Sequence, residues 1–174
     1  MKTSNKEFYE ITDCEFINKL EGDFEEIKIE FFDFVSTQDY LNWPQKELYN
    51  SGWNVFGLRG FKKDNRLAHS KCPVSANLIK KFDKLVISAG FSIMKPGTII
   101  YPHTGYTNEV LRCHLGIKIP IGDCALKVGQ TTRLWEEGKA FVFDDTILHE
   151  AWNKTSETRI IMLLDIDKQM FLNK

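Results

Sequence analysis

The 174-residue chain has few of the features that mark secreted, membrane-spanning or repetitive proteins. Its longest strictly apolar run near the C-terminus covers only residues 160–164, far short of the roughly 20 residues that a membrane-spanning helix needs. Residues 1–5 lack the apolar stretch of a secretory signal. No repeat, low-complexity segment or Gly/Ser/Pro linker divides the chain. We therefore expect one cytoplasmic domain over residues 1–174, with no membrane span.

Cysteine is also sparse, and its spacing excludes two classes of protein. The four residues form no CxxC pair and show no zinc-like spacing (Cys14, Cys72, Cys113, Cys124). In a reducing compartment such residues are usually thiols packed in the core. The sequence therefore predicts neither a disulfide framework nor a cysteine-based metal centre.

An excess of charge of one sign is missing as well, since the formal net charge is −1. The distribution is uneven, however: residues 1–35 are rich in acids, and residues 59–81 carry seven basic side chains against Asp64 alone. A basic stretch is usually a solvated face, and the alternative is that it steers an anionic substrate toward a cleft. Without a series of stacking aromatics, nucleic acid is not expected as a partner.

Hydrophobic periodicity divides the chain into two parts. Partial alternation of Ile27, Ile29 and Phe31 predicts a strand within residues 22–34. An apolar stripe in residues 75–85 predicts a helix with Ser75 as its N-cap. We therefore expect residues 1–85 to form an α+β cover and residues 86–174 to form the core of the domain.

The second part consists of short strand-like runs that are separated by turn signals. The predicted strands are residues 91–94, 98–101, 112–119, 125–128, 132–135, 140–143 and 159–166. Many short strands at close spacing are typical of a sandwich or barrel. The expected fold is mainly β with flanking helices: a double-stranded β-helix, that is, a cupin-like jelly roll.

Three of the four histidines lie in this part, namely His103, His114 and His149. His103 and His149 each follow an apolar run, so both could lie at the rim of a barrel and bind a first-row metal together. The alternative is that each is an ordinary core or surface histidine. Spacing alone does not decide between them.

Two arginines fall on strand faces where charge is costly. Arg112 and His114 are two residues apart, so they point to the same face of a strand, opposite Leu115 and Ile117. Arg159 begins an otherwise apolar strand, and a buried guanidinium needs an anion. That anion could be a dicarboxylate co-substrate, or an acid of the chain such as Asp165.

Several motifs in residues 70–167 together resemble the aspartyl/asparaginyl β-hydroxylase family of Fe(II)/2-oxoglutarate dioxygenases. They are FSIMKPGT from Phe91, YPHTGYTN from Tyr101, LRCHLGI from Leu111, WEEGK from Trp135, FDD from Phe143, HEAW from His149, and Arg159. Because the motifs occur in order over more than half of the chain, the resemblance is specific.

The resemblance implies a role for each of six residues. His103 and His149 would be the iron ligands, and Gly105 stands where most such oxygenases have an acidic ligand. The other four would bind the co-substrate: Arg159 and Ser92 would hold the distal carboxylate of 2-oxoglutarate, with Arg112 and His114 near the metal. The implied cofactors are Fe(II), 2-oxoglutarate and O₂, and the implied reaction is hydroxylation of an unactivated C–H bond. Because position 105 is a glycine, chloride could in principle take the place of the missing acidic ligand, as in the halogenases, and halogenation is then an alternative reaction.

The substrate is less well indicated. The resemblance favours an amino acid of the Asp/Asn type, free or in a peptide, and an anionic substrate could be held by Lys62, Lys63 and Arg66. However, Val110 stands where we expect an arginine for the substrate carboxylate. The alternatives are a hydroxylase of a lipid or another small metabolite, and a non-catalytic cupin-like binding module.

Overall fold

A computed structural model of the chain describes residues 6–173, which form two β-sheets with helices on one side. The helices are α1 (Glu15–Gly22), α2 (Phe24–Asp33), α3 (Arg66–Lys71), α4 (Pro73–Lys81) and α5 (Lys168–Leu172). The strands are β1 (Phe8–Tyr9), β2 (Leu41–Asn42), β3 (Trp53–Gly60), β4 (Lys63–Asp64), β5 (Val86–Met94), β6 (Ile99–His103), β7 (Val110–Lys118), β8 (Cys124–Val128), β9 (Thr131–Leu134), β10 (Ala140–Phe143), β11 (His149–Asn153) and β12 (Arg159–Asp167). Short 3₁₀ turns cover Val35–Thr37 and Lys46–Leu48.

The two sheets form a jelly roll. The larger has eight strands in the order β1-β10-β7-β12-β5-β3-β2, with β4 paired to β3, and the smaller has four in the order β6-β11-β8-β9. Every pairing between these strands is antiparallel. From β5 to β12 the chain passes back and forth between the two sheets, with β8 and β9 as the one consecutive pair in the same sheet, as in a double-stranded β-helix. The predicted fold class is confirmed.

Alternation along the strands builds two separate cores. On β12, Met162 and Leu164 pack toward helices α1, α2 and α4, whereas Ile161 points between the two sheets. The helix side holds the larger apolar cluster, and the space between the sheets holds a smaller cluster that includes Trp53 and Trp135. Because the interior of the jelly roll is only partly filled by apolar side chains, polar groups can project into it.

The prediction of a strand within residues 22–34 is wrong, because this segment forms helix α2. Ile27 and Phe31 are buried, but Ile29 between them is exposed. Positions four residues apart share a face of a helix, and the first turn carries two acids that suit a helix N-terminus. Alternation over three positions was too short a pattern to identify a strand.

Helix α4 confirms the predicted helix but not its start. The helix begins at Pro73 after Cys72, so Ser75 lies inside it and is not the N-cap. The carboxylate of Glu30 on α2 accepts hydrogen bonds from the Val74 and Ser75 amides and, at 2.6 Å, from the Ser75 hydroxyl. A buried acid from another helix thus satisfies the N-terminal amides that a local cap would bind.

All seven strands that were predicted after residue 90 are present, with shifted ends, and β11 was not predicted. The N-terminal part contributes β1–β4 to the larger sheet. All four cysteines are buried thiols (Cys14, Cys72, Cys113, Cys124). Within residues 6–173, no helix is long and apolar enough to cross a membrane.

Candidate active site

His103 and His149 lie directly opposite each other on neighbouring strands of the smaller sheet. They are Cα partners in the pairing of β6 with β11, which shows a register shift after His149. Their ring centroids are 4.2 Å apart, with an angle of 56° between the ring planes. The two imidazoles therefore converge on one point at the edge of the jelly-roll interior.

Hydrogen bonds determine which nitrogen of each ring is available. The Nδ1 of His103 lies 2.7 Å from the carbonyl oxygen of Tyr101, and the Nδ1 of His149 lies 2.9 Å from that of Ile147. A carbonyl can only accept, so each Nδ1 carries the proton and each Nε2 keeps its lone pair. Burial lowers the pKa of His103 and lowers the pKa of His149 to about 4, so both rings are neutral near pH 7. Neutral imidazoles with a free Nε2 are what a metal ion requires.

A third protein ligand does not come from the position two residues after His103. The Gly105 amide donates a hydrogen bond to the carbonyl oxygen of Asp145 at 2.6 Å. A Cβ atom at Gly105 would lie 2.3 Å from the carboxyl group of Asp145, so no larger residue fits without rearrangement. Among residues 6–173, no group of three or more His, Cys, Asp or Glu side chains could hold a metal ion.

Asp145 is a buried acid that sequence reasoning missed. Its side chain is fully buried, and burial raises its pKa to about 6. Neither carboxylate oxygen has a hydrogen-bond partner among the described residues, although Arg112 lies 3.4 Å away. The pair Asp144-Asp145 was visible in the sequence, but only the fold places one of the two carboxylates beside Gly105.

Arg159 and Ser92 form a cationic pocket on the larger sheet. Arg159 is only 2% exposed, and its guanidinium stacks 4.7 Å from the ring of Trp135. Its Nη1 donates to the carbonyl oxygen of Ser92 at 3.2 Å and lies 3.4 Å from the Ser92 hydroxyl. Burial lowers the pKa of Arg159 to about 10, so the side chain remains charged.

This arginine has no anion of its own. Within the described part of the chain, no acidic side chain lies within 4.0 Å of Arg159, and its Nε has no hydrogen-bond partner. The alternative of an ion pair with Asp165 is wrong, because Asp165 pairs with Arg112 at 3.0 Å. A buried cation without a counter-ion is costly, so the site suits an anionic ligand.

His114 presents a donor to the same space. Its Nδ1 accepts a hydrogen bond from the indole of Trp135 at 3.1 Å, so the proton of the neutral ring is on Nε2. That Nε2 is buried and has no partner among the described residues. Burial and the neighbouring Arg159 hold the pKa of His114 well below its usual value. His114 is thus a neutral donor that lacks an acceptor.

Arg112 occupies a different environment from Arg159. It is 7% exposed and lies between two carboxylates, 3.0 Å from Asp165 and 3.4 Å from Asp145. The hydroxyl of Tyr106 also donates to Asp165, at 3.2 Å. The predicted contact of Arg112 with the co-substrate therefore stays a prediction, and its observed partners are acids of the chain.

Two connected spaces meet at these residues. The inner one, of about 30 Å³, is lined by both histidines and by Ser92, His114 and Arg159. The outer one, of about 410 Å³, shares Ser92, His103 and Arg112 with it and extends toward the surface. Its size is in the range of small-molecule sites. A ligand in the outer cavity therefore lies beside His103, one of the paired histidines.

The residues suit a metal ion and a dicarboxylate. Two neutral imidazoles with free Nε2 atoms offer ligands to a first-row metal such as Fe(II). Behind them, the unpaired donors of Arg159 and His114 require acceptors, which a carboxylate supplies. The fit rests on these donors without partners and on the neutral state of both rings.

The fold is similar to that of two solved proteins. The non-heme alpha-ketoglutarate-dependent epimerase SnoN from nogalamycin biosynthesis aligns with a TM-score of 0.58 at 10% identity, over 84% of this chain and 72% of its own. A Pseudomonas putida prolyl-4-hydroxylase aligns with a TM-score of 0.56 at 10% identity, over 86% of both chains. At such low identity these likenesses define the class by fold alone: a double-stranded β-helix.

Sequence comparison identifies the family. The family model described as aspartyl/asparaginyl beta-hydroxylase matches residues 21–169. The mouse (Mus musculus) aspartyl/asparaginyl beta-hydroxylase is 35% identical over 158 residues, 87% of this chain. The chain belongs to the aspartyl/asparaginyl β-hydroxylase family, which confirms the resemblance seen in its motifs.

Other relatives carry other names. The ornithine lipid ester-linked acyl 2-hydroxylase of Rhizobium tropici is 38% identical over 120 residues, 68% of this chain. The chain spans 21% of the mouse protein and 42% of the Rhizobium protein. The match to either is therefore to one part of a longer protein.

Proposed function

We propose that this chain is an Fe(II)- and 2-oxoglutarate-dependent dioxygenase that hydroxylates an unactivated C–H bond. One observation carries the proposal: two neutral imidazoles, His103 and His149, face one point, and the unpaired guanidinium of Arg159 lies behind them. Family membership supports the same reaction type.

Each side chain then has a defined task. His103 and His149 would hold the metal, and Arg159 with the Ser92 hydroxyl would bind the distal carboxylate of 2-oxoglutarate. The Nε2–H of His114 would donate to the same ligand. When bound, iron and the co-substrate supply the oxidising chemistry: one atom of O₂ enters the substrate as a hydroxyl, and the other enters succinate as CO₂ is released.

Hydroxylation is better supported than halogenation. The carboxylate of Asp145 fills the space beside Gly105 that the missing side chain leaves. Asp145 is ionised above its raised pKa of about 6. A fixed negative charge at this place opposes binding of a second anion.

The names of the relatives suggest two classes of substrate. One relative is named for aspartyl and asparaginyl residues, and another for the acyl chain of a lipid. The predicted amino-acid substrate and the alternative lipid substrate are thus both represented. The shape and charge of the outer cavity bear on this choice.

Release of succinate tests the proposed reaction. The protein is incubated with Fe(II), 2-oxoglutarate and O₂, and succinate is measured with candidate substrates and without any. Wild type should form succinate, and His103→Ala and His149→Ala should not. The variant Lys154→Ala, at an exposed position away from the cavity lining, serves as the matched control. Unchanged succinate formation by either histidine variant would contradict the assignment of the metal ligands.

A further inference from the structure

The outer cavity is walled largely by apolar groups. Strand β3 presents Val55 and Gly57 to it, and the two neighbouring residues Phe56 and Leu58 pack instead into the helix-side core. The remaining apolar and aromatic lining comes from Trp43, Pro44, Phe61, Tyr106, Ala89 and Leu163. A substrate in this cavity therefore contacts mainly rings, methyl groups and glycine backbone.

Every charged residue of this lining already has a partner of opposite charge. Arg59 pairs with Asp64 at 2.5 Å and with Asp83 at 3.0 Å. Arg112 lies between Asp145 and Asp165. One guanidinium between two carboxylates has a net charge of about −1 when both acids are ionised. A substrate carboxylate would have to enter this negative group or displace one of its members, and either is unfavourable.

The three basic side chains that were predicted to hold an anion are not part of the cavity lining. Lys62, Lys63 and Arg66 do not line the cavity. The Lys62 ammonium donates to the main-chain carbonyls of Asp83 and Lys84. Val110, at the position where an arginine was expected, is buried. Among the described residues, the two cations that do line the cavity, Arg59 and Arg112, each already have carboxylate partners, so none is left without one to pair with an acidic side chain.

An exposed aromatic pair stands at the outer end of the cavity. Phe61 and Tyr106 meet edge to face with ring centroids 5.9 Å apart, and they are 71% and 56% exposed. Phe61 (φ 47°) and Lys62 (φ 66°) form the two-residue turn between β3 and β4. Two left-handed residues in such a turn favour Asn-Gly, so a phenylalanine here costs conformational energy. A costly, solvent-exposed ring beside a cavity suggests a contact with a ligand.

We propose that the outer cavity binds the hydrocarbon chain of a neutral acyl ester, with Phe61 and Tyr106 forming its outer wall. The chain would lie along Val55 and Gly57 and bring a C–H bond to the end that is lined by His103. This inference rests on the proposed function for its chemistry: the C–H bond becomes C–OH, with O₂ reduced and 2-oxoglutarate oxidised to succinate and CO₂. Binding of the chain itself requires only the cavity.

Gly57 offers a sharp test, because a side chain there would enter the cavity without a clash. No atom lies within 4 Å of a Cβ built at Gly57. We expect monolauroylglycerol, below its micellar concentration, to bind wild type in calorimetry with manganese and 2-oxoglutarate present. Gly57→Leu should weaken that binding at least about tenfold, because the leucine occupies the space of the chain. Gly22→Ala, also free of neighbours but outside the lining, should bind as wild type.

The same samples separate this inference from the proposed function. Gly57→Leu should bind manganese and 2-oxoglutarate like wild type, since the inner space is not altered. With iron, the wild type should convert the lauroyl ester to a product that has gained one oxygen. Binding or hydroxylation of an aspartate-containing peptide, with no binding of the ester, would overturn the acyl inference and leave the oxygenase intact. Ester binding without any binding of manganese and 2-oxoglutarate would overturn the proposed function alone.

Discussion

At the scale of single residues, Gly105 explains why position 105, two residues after His103, would supply no third ligand to the proposed metal site. Its missing Cβ leaves room for the Asp145 carboxyl group, which would lie 2.3 Å from that atom. The amide of Gly105 is fixed to the same residue through the Asp145 carbonyl. An acid at position 105 and an acid at position 145 therefore exclude each other in this backbone arrangement.

Gly105→Asp should consequently damage the protein rather than complete a metal site. The new side chain would overlap the Asp145 carboxyl group and place two like charges in a buried space. We expect a loss of about 2–4 kcal/mol in the free energy of unfolding, from overpacking and charge burial. Denaturant unfolding of this variant measures the loss, with Gly22→Ala as the control. Wild-type stability together with tighter manganese binding would refute the proposed packing conflict.

Asp145 should also give the folded protein a specific pH dependence. Its pKa is about 6 in the folded protein, above the ordinary value of 3.8 that applies when the chain is unfolded. Between these values the folded state holds a proton that the unfolded state has lost, so stability falls as the pH rises from about 4 to 6. Two pH units of difference correspond to roughly 3 kcal/mol.

The variant Asp145→Asn isolates this contribution, because asparagine does not titrate. Unfolding free energies of both proteins are compared from pH 4 to pH 8 without metal. The stability of wild type relative to the variant should decrease with rising pH and level off above about pH 6. Subtracting the free energy of unfolding of the variant from that of wild type cancels the contribution of the buried histidines, because they titrate in both proteins. Their lowered pKa values make stability rise with pH, which is opposite to the effect of Asp145. A constant difference across this range would show that the Asp145 pKa is not raised.

At the scale of secondary-structure elements, the turn between β3 and β4 holds Phe61 in a left-handed conformation that lowers the stability of the fold. Phe61→Asn should stabilise the fold by about 0.5–1 kcal/mol, because asparagine tolerates the left-handed conformation better. The same change removes one of the two rings of the proposed outer wall and should weaken binding of the acyl ester. Thermal unfolding and calorimetry with monolauroylglycerol measure the two effects, with Phe61→Tyr as the conservative control. A variant that is both less stable and equally able to bind would contradict this view of the turn.

The elements also show which features the sequence could predict. Runs such as residues 140–143 lie between clear turn signals, so their strands were predicted closely. Strand β11 shows little apolar pattern, because its three buried positions hold His149, Ala151 and Asn153, of which Ala151 alone is apolar. In helix α2, Ile27, Ile29 and Phe31 alternate as in a strand, and only Ile27 and Phe31 share the buried helix face, so a short window favours the wrong period.

For the site, motif order indicated which residues would come together, but not what they contact. The opposition of His103 and His149 depends on a strand pairing between residues 46 positions apart in the sequence. The ion pair of Arg112 with Asp165 depends on the pairing of β7 with β12. Burial of Asp145 beside Gly105 depends on a loop contact. Such tertiary contacts leave no periodic signal in one sequence.

At the scale of the whole molecule, the proposed ligands would connect the two sheets. His103 and His149 belong to the smaller sheet, whereas Ser92, His114 and Arg159 belong to the larger one. A metal with a bound dicarboxylate would therefore bridge the sheets and fill polar space that apolar side chains leave in the jelly-roll interior. Ligands that bind only the folded state stabilise the entire domain.

Manganese with 2-oxoglutarate should consequently raise the melting temperature of the whole protein in one transition. At ligand concentrations about 100-fold above Kd the gain is about 2.7 kcal/mol, which corresponds to roughly 5–10 °C for a domain of this size.

Two variants separate the contributions of the metal and of the dicarboxylate. His103→Ala should lose the rise in melting temperature with manganese. Arg159→Ala should lose the rise with 2-oxoglutarate and retain the rise with manganese. For Arg159→Ala we expect binding of 2-oxoglutarate to weaken by about 2–5 kcal/mol, because among residues 6–173 Arg159 is the one cation that lines the inner space without a carboxylate partner. Differential scanning fluorimetry distinguishes these cases. If 2-oxoglutarate raised the melting temperature of Arg159→Ala as much as that of wild type, the dicarboxylate would bind away from Arg159 and from the two histidines.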